Sequence, residues 1–337
     1  MSHPHLRILR KSLLLGSVAL ASTVGLLTPD VFAHGTGRGR GKSNQQVERI
    51  ATANPRVIVS ACTLSGSFTV RGWQRNEVRV RSNGADIELT RIDQTKADQA
   101  TELKVTSPTR RGTARNSCLM FGGLEIDVPR GATIRLQTTS GDISVTDVGR
   151  ANVTTTSGNI SLTKMREETN ANVIGGDISV RDSIGLFDLH AIGGSIDARD
   201  LAPVAVSDTV TASTVSGEVT LTRVTHQRVS VSSISGELIY SGELSRNGSY
   251  RFQNTSGEVH LLIPANSSFR LVANIGQSGK LSSDFDLNNS ANQTLTSPGN
   301  RYESRRVLAT VGGGDATVHI SLLTGSVEIR KRNSPSK

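Results

Sequence analysis

An all-β chain, coiled into a stacked repeat array with divergent terminal caps, is predicted by three observations. The first is a recurrent Ser-Gly or Gly-Gly turn followed by a polar residue and a β-branched run, as in "TTSGDISV" and "TTTSGNISL". It recurs at Gly141, Gly158, Gly176, Gly194, Gly217, Gly236 and Gly257, at intervals of 17, 18, 18, 23, 19 and 21 residues. A unit this short cannot bury an apolar face alone, so each must lean on the next. The second is strict alternation after each glycine, for example Ile143-Ser144-Val145 and Val219-Thr220-Leu221, which gives a short strand with one face inward. The third is composition: 33 glycines and 3% aromatic residues suit a narrow core of small aliphatic side chains better than one large globular core.

Each unit decodes locally. Glycine accepts the backbone where the chain reverses, and the adjoining Ser, Asp or Asn bonds nearby backbone groups. A second strand precedes each next turn in "RANVTTTS", "GLFDLHAI", "DTVTASTV" and "QRVSVSSI", so a rung holds about two strands. No stretch after the leader has helical periodicity. Residues 56–82 read as two or three capping strands with a Ser-Gly turn at Gly66 and Trp73 plugging an end. Residues 93–115 read as a polar excursion, and the chain closes on a last turn at Gly325.

The boundaries expected are a signal peptide at 1–33, a Gly-rich basic spacer at 34–55, the array at 56–331 and a basic tail at 332–337. Arg7, Arg10 and Lys11 precede the apolar run Leu13–Leu27, and "VFA" ending at Ala33 places small residues where a signal peptidase reads. The run is short for a membrane span, so an exported chain, periplasmic, secreted or on the cell surface, without an integral span after cleavage is expected. In that oxidising setting Cys62 and Cys118, the whole cysteine supply, are a candidate disulfide.

Removing the leader's Arg7, Arg10, Lys11 and Asp30 from 38 basic and 29 acidic residues leaves 35 and 28, a net charge of +7. Part of it lies in the two ends, where it suits contact with an anionic envelope polymer or plain solubility. Export, and aromatic residues that do not interleave with basic clusters, argue against nucleic acid. "GRGRGKS" lacks the spacing and preceding strand of a phosphate loop. "SLTK" at Ser161–Lys164 has a serine-enzyme spacing but lies on a strand, where positions three apart face opposite sides. His190, His226, His260 and His319 show no paired metal-ligand spacing, and no catalytic residue or cofactor is expected.

One pattern suggests a site. The residue after each turn glycine is Asp142, Asn159, Asp177, Ser195, Glu218, Glu237 and Glu258, so turns stacked in register form a polar file with Asp142, Asp177, Glu218, Glu237 and Glu258 as its acids. Such a file could collect Ca²⁺ or contact a sugar polymer; equally, Asp, Asn and Ser suit turns for local reasons and Glu is simply solvated.

The segments "IDVPRGATIRLQTTSGDISV", "LIPANSSFRLVANIGQSGKLSSDF", "GSFTVRGWQRNEVRV" and "GGGDATVHISLLTGSVEIRK" together resemble the bacterial putative-adhesin domain family, a domain of unknown function in exported and envelope-tethered proteins. The resemblance covers about Arg56–Lys331 and implies a right-handed stacked β structure with no established catalytic residues. The function expected is a non-enzymatic adhesin-like β-solenoid that binds or scaffolds an envelope component, polysaccharide first. The rivals are a polysaccharide lyase or hydrolase on a β-helix and a structural partner of an envelope signalling protein.

Overall fold

A computed structural model describes residues 46–83, 86–93, 99–106, 118–119, 122–287, 291–295 and 304–332. The leader at 1–33 lies outside the described residues, as do most of the expected spacer and the tail beyond Arg332.

The strands of the first third are β1 (Gln46–Ser65), β2 (Phe68–Trp73), β3 (Glu77–Asn83), β4 (Glu88–Arg91), β5 (Ala100–Thr106) and β6 (Gly123–Pro129). The regular ladder follows with β7 (Thr133–Ser140), β8 (Ile143–Thr146), β9 (Arg150–Ser157), β10 (Ile160–Thr163), β11 (Glu168–Gly175) and β12 (Ile178–Ile184). It continues with β13 (Leu186–Gly193), β14 (Ile196–Ala202), β15 (Thr209–Ser216), β16 (Val219–Val224), β17 (Arg228–Ser241) and β18 (Ser249–Pro264). The last third is β19 (Phe269–Gly276), β20 (Lys280–Ser283), β21 (Ala291–Leu295), β22 (Ser304–Val311) and β23 (Ala316–Arg332).

These strands build a β-solenoid with two parallel walls. The first wall stacks β5, β1, β7, β9, β11, β13, β15, β17, β18, β23 and β19. The second stacks β6, β2, β8, β10, β12, β14, β16, then the later halves of β17, β18 and β23, then β20. Alternation sends Ile143, Val145, Ile160, Leu162, Val219, Leu221, Val259 and Leu261 inward, each at most 2% exposed. Full burial of each such side chain contributes roughly 1.5–3 kcal/mol.

The turn glycines form one continuous file along the edge where the walls meet. A Cβ on Gly141 would lie 2.3 Å from the Gly66 carbonyl oxygen, and the same clash repeats from Gly158 to Gly257 and on Gly325, each against the glycine one rung before. The file also contains Gly66, whose Cβ would meet Gly122 O at 2.1 Å. Buried polar side chains cap the carbonyls from inside: Thr155 Oγ1 donates to Gly141 O, Thr214 Oγ1 to Gly194 O and Asn254 Nδ2 to Gly236 O.

The opposite edge has its own file, in which Asp147, Lys164, Asp182, Asp200 and Arg223 all take left-handed φ of 51–60°. Asp tolerates this region through local hydrogen bonding, whereas Lys and Arg do not. Lys164 is exposed and its side chain takes part in no hydrogen bond or ion pair among the described residues. Relief of the Cβ strain outweighs the lost chain stiffness, so Lys164→Gly should raise stability by about 1 kcal/mol, read from urea midpoints. An unchanged or lower midpoint would show that this edge is not strained.

The flanks depart from expectation in four ways. The array starts at Gln46 rather than 56, because β1 runs on from residue 46 and pairs antiparallel with β3. The polar excursion is not all loop, since β5 forms part of the first wall. Trp73 is not an end plug; it is half-buried, donates Nε1–H to Glu77 O at 2.8 Å and lies under the guanidinium groups of Arg75 and Arg79. Arg332 belongs to β23, not to the tail.

Stacking order also departs from chain order at both ends. The β5–β6 rung stacks outside β1–β2, and β23 inserts between β18 and β19. Cys62 and Cys118 are bonded across the first of these junctions, with Cα atoms 4.7 Å apart.

Candidate functional site

The polar file exists in register, and the structure divides it. From Asp142 to Ser195 it is a hydrogen-bonded ladder, each side-chain oxygen accepting the next rung's N–H: Asp142 Oδ1 from Asn159 at 2.7 Å, Asn159 Oδ1 from Asp177 at 2.9 Å and Asp177 Oδ1 from Ser195 at 2.8 Å. Here the small polar residues serve the turn itself. Glu218 accepts the Thr220 hydroxyl. Glu237 and Glu258 are too long for the ladder and instead turn onto the second wall, where both face His260.

His260 Nε2 lies 2.9 Å from Glu258 Oε2 and 3.3 Å from Glu237 Oε1, while Nδ1 lies 3.6 Å from Glu328 Oε2. Register explains the convergence: Glu237 is level with Glu258, and His260 with Glu328, on three successively stacked strands. In the sequence His260 shows no paired metal-ligand spacing with another histidine, and Glu237 and Glu328 are far from it in the chain. The only local signal is Glu-x-His at 258–260, which puts both side chains on one face of a strand.

The first wall carries a contrasting surface. On its early rungs charges are mixed and paired, with Arg150–Glu167 at 2.9 Å and His190–Asp188 at 2.8 Å. From β15 through β17, β18, β23 and β19 the outward positions hold Arg228, Arg251, His319, Arg270, hydroxyls, amides and a few aliphatic residues, with no carboxylate. At strand spacings of about 4.8 Å these five strands make a basic strip some 20 Å wide.

A cavity of about 220 Å³ opens on this strip, its polar lining being Thr209, Thr211, Arg228, Ser230, Ser249 and Arg251. Arg228 donates to Val206 O at 3.2 Å, and neither arginine has a carboxylate partner among the described residues. Burial first, then the Arg251 and Arg306 charges, hold the His319 imidazole below its ordinary range. Beside the strip, Ile174, Ile192, Val215 and Ile234 form an exposed apolar ridge on four successive rungs. In the sequence none of the three arginines stands out, and His319 is weighed only as a metal ligand. Alternation shows that they face outward, but only the 21-residue offset between the β17 and β18 rungs brings Arg228 and Arg251 to neighbouring positions.

Among the described residues no helix is long and apolar enough to cross a membrane. No curated protein matches the sequence. A family model described as Toastrack DUF4097 matches residues 76–330. Two solved structures match the chain at low similarity. One, described as a "putative cell adhesion protein" from Clostridium sporogenes, is 10% identical, with 86% of this chain and 100% of that chain covered at a TM-score of 0.23. The other, a "putative lipid binding protein" from Parabacteroides distasonis, is 13% identical, with 87% and 98% covered at a TM-score of 0.37. At these values neither likeness carries an argument about this chain.

Proposed function

This chain belongs to the Toastrack DUF4097 family, and from that premise we propose that it is an exported, non-enzymatic scaffold whose basic strip on the first wall binds an anionic polysaccharide of the cell envelope. The observation that carries the reading is the run of five stacked strands whose outward positions include Arg228, Arg251, Arg270 and His319 and no carboxylate. Guanidinium groups match carboxylate and phosphate geometry, and the flanking hydroxyls and amides suit sugar hydroxyls. The Ile/Val ridge beside them offers apolar contact to sugar ring faces. Each contact is shallow, so affinity would come from many repeated contacts along a rigid array. The leader at 1–33 supports export.

The test is co-sedimentation of the chain with an acidic envelope polysaccharide, with peptidoglycan and with anionic lipid vesicles. Saturable polysaccharide binding that weakens with salt is expected, and Arg228→Ala with Arg251→Ala should weaken it about tenfold through lost charge-assisted hydrogen bonds. Binding should strengthen as pH falls and His319 gains its proton. Binding indifferent to the double variant, or confined to vesicles, would overturn the reading. Release of new reducing ends or unsaturated products would overturn its non-enzymatic part.

A further inference from the structure

We propose that Glu237, Glu258 and His260 form a binding site for a divalent transition-metal ion of the Zn²⁺ type, with Glu328 orienting the imidazole. Each residue offers one ligand atom, and the three atoms lie within 4.8 Å of one another. A tetrahedral zinc with bonds of about 2.0–2.1 Å holds its ligand atoms about 3.3 Å apart. His260 Nε2 already stands 2.9 and 3.3 Å from the two carboxylates, so small side-chain rotations suffice.

The other ring nitrogen strengthens the assignment. A metal-bound imidazole characteristically directs its second N–H at a carboxylate, which fixes tautomer and orientation. Glu328 Oε2 stands on that side of the ring, 3.6 Å from Nδ1, so a closure of several tenths of an ångström would bring it into hydrogen-bond distance; it is itself held by Arg330 at 3.2 Å, which reaches on to Asp284 at 3.0 Å. Nitrogen in the donor set favours a transition metal over Ca²⁺ or Mg²⁺. Three protein ligands leave a fourth position open to water or an outside group.

Electrostatics points the same way. Glu237 and Glu258 are level in register on adjacent strands, where like charges repel. Further along the file acids alternate with Asn159 and Ser195, and their carboxylates accept backbone N–H groups. Glu237 and Glu258 accept no backbone N–H among the described residues, and the His260 ring nitrogen between them hydrogen-bonds Glu258 alone, so a dication held by all three would relieve a repulsion that one imidazole N–H answers only in part. The site lies on the second wall, away from the basic strip, and does not depend on the polysaccharide reading.

The experiment is calorimetric titration of the untagged chain with ZnCl₂ and, separately, CaCl₂, for the unmodified protein and for His260→Gln, Glu237→Gln and Glu328→Gln. Urea unfolding in chelator checks that each variant is folded, as their partly exposed positions predict. One equivalent of zinc should bind, His260→Gln and Glu237→Gln should abolish that binding, and Glu328→Gln should weaken it about tenfold. No zinc binding by the unmodified chain would overturn the proposal. So would undiminished binding by folded His260→Gln, which would assign the ion to other histidines.

Discussion

Gly176→Ala is expected to destabilise the array by about 4 kcal/mol, while Gly175→Ala, one residue away, changes stability by less than about 1 kcal/mol. Gly176 has φ of +150°, a conformation close to glycine-only, and its Cβ would lie 2.2 Å from Gly158 O and 2.8 Å from Gly158 C. Both are backbone atoms of the preceding rung and cannot rotate away. The Gly158 corner must shift, and with it the hydrogen bond from Asn159 N–H to Asp142 and that from Asp177 N–H to Asn159. At Gly175 the nearest atom to an added Cβ is Thr156 O at 3.7 Å, an ordinary contact. The adjacent pair therefore separates loss of a glycine from loss of the close approach. Urea unfolding of both variants is the measurement, and equal midpoints would show that the corner file does not set the rung spacing.

Where the loss falls is also specified. In a stacked array each rung touches only its neighbours, so a damaged contact in the middle uncouples the two sides. Calorimetry of Gly176→Ala should resolve two transitions where the parent has one, with hydrogen exchange fastest in β9–β12.

The corner file was legible in the sequence because its physics is local. Each Ser-Gly-Asp segment states its own turn, and period-two alternation states which side chains face inward, so seven glycines and their strands could be placed without long-range knowledge. What could not be read is the order in which rungs stack once the chain leaves the regular interval. β3–β6 and β19–β22 are excursions whose alternation resembles any edge strand, and nothing local says that β23 inserts between β18 and β19. Residues 46–55 were hidden for a related reason. Their polar, Pro-containing run resembles spacer, and only the antiparallel pairing of β1 with β3 makes it strand. The same gap hid the Glu–His cluster, since Glu237, His260 and Glu328 meet only through the stacking of β17, β18 and β23. Turn chemistry also explains why the acidic file divides: Asp reaches the next rung's N–H, and Glu, one methylene longer, does not use it here.

Breaking the disulfide is the second large perturbation, and its effect should stay local. The bond closes a separation of 56 residues, and loop-closure entropy puts its stabilisation at about 4 kcal/mol. It joins two layers rather than two ends of one strand. Cys62 lies on β1, whose outer edge pairs with β5 up to Ala61, and Leu119 takes over that edge, donating to Cys62 O at 2.9 Å and accepting from Leu64 N–H at 2.8 Å. The bond thus pins the return of the excursion against the first rung of the ladder. With Cys62→Ser and Cys118→Ser, β3, β5 and β6 lose the constraint that keeps their ordering cost low, whereas rungs from β9 onward keep every neighbour. Hydrogen exchange should rise sharply across β3–β6, modestly in β1 and β2, and little beyond β10, and a low-temperature shoulder should precede an unchanged main melting transition. A uniform rise along the whole array would instead mean that the end rungs and the ladder unfold as one unit, and that the bond stabilises the entire chain.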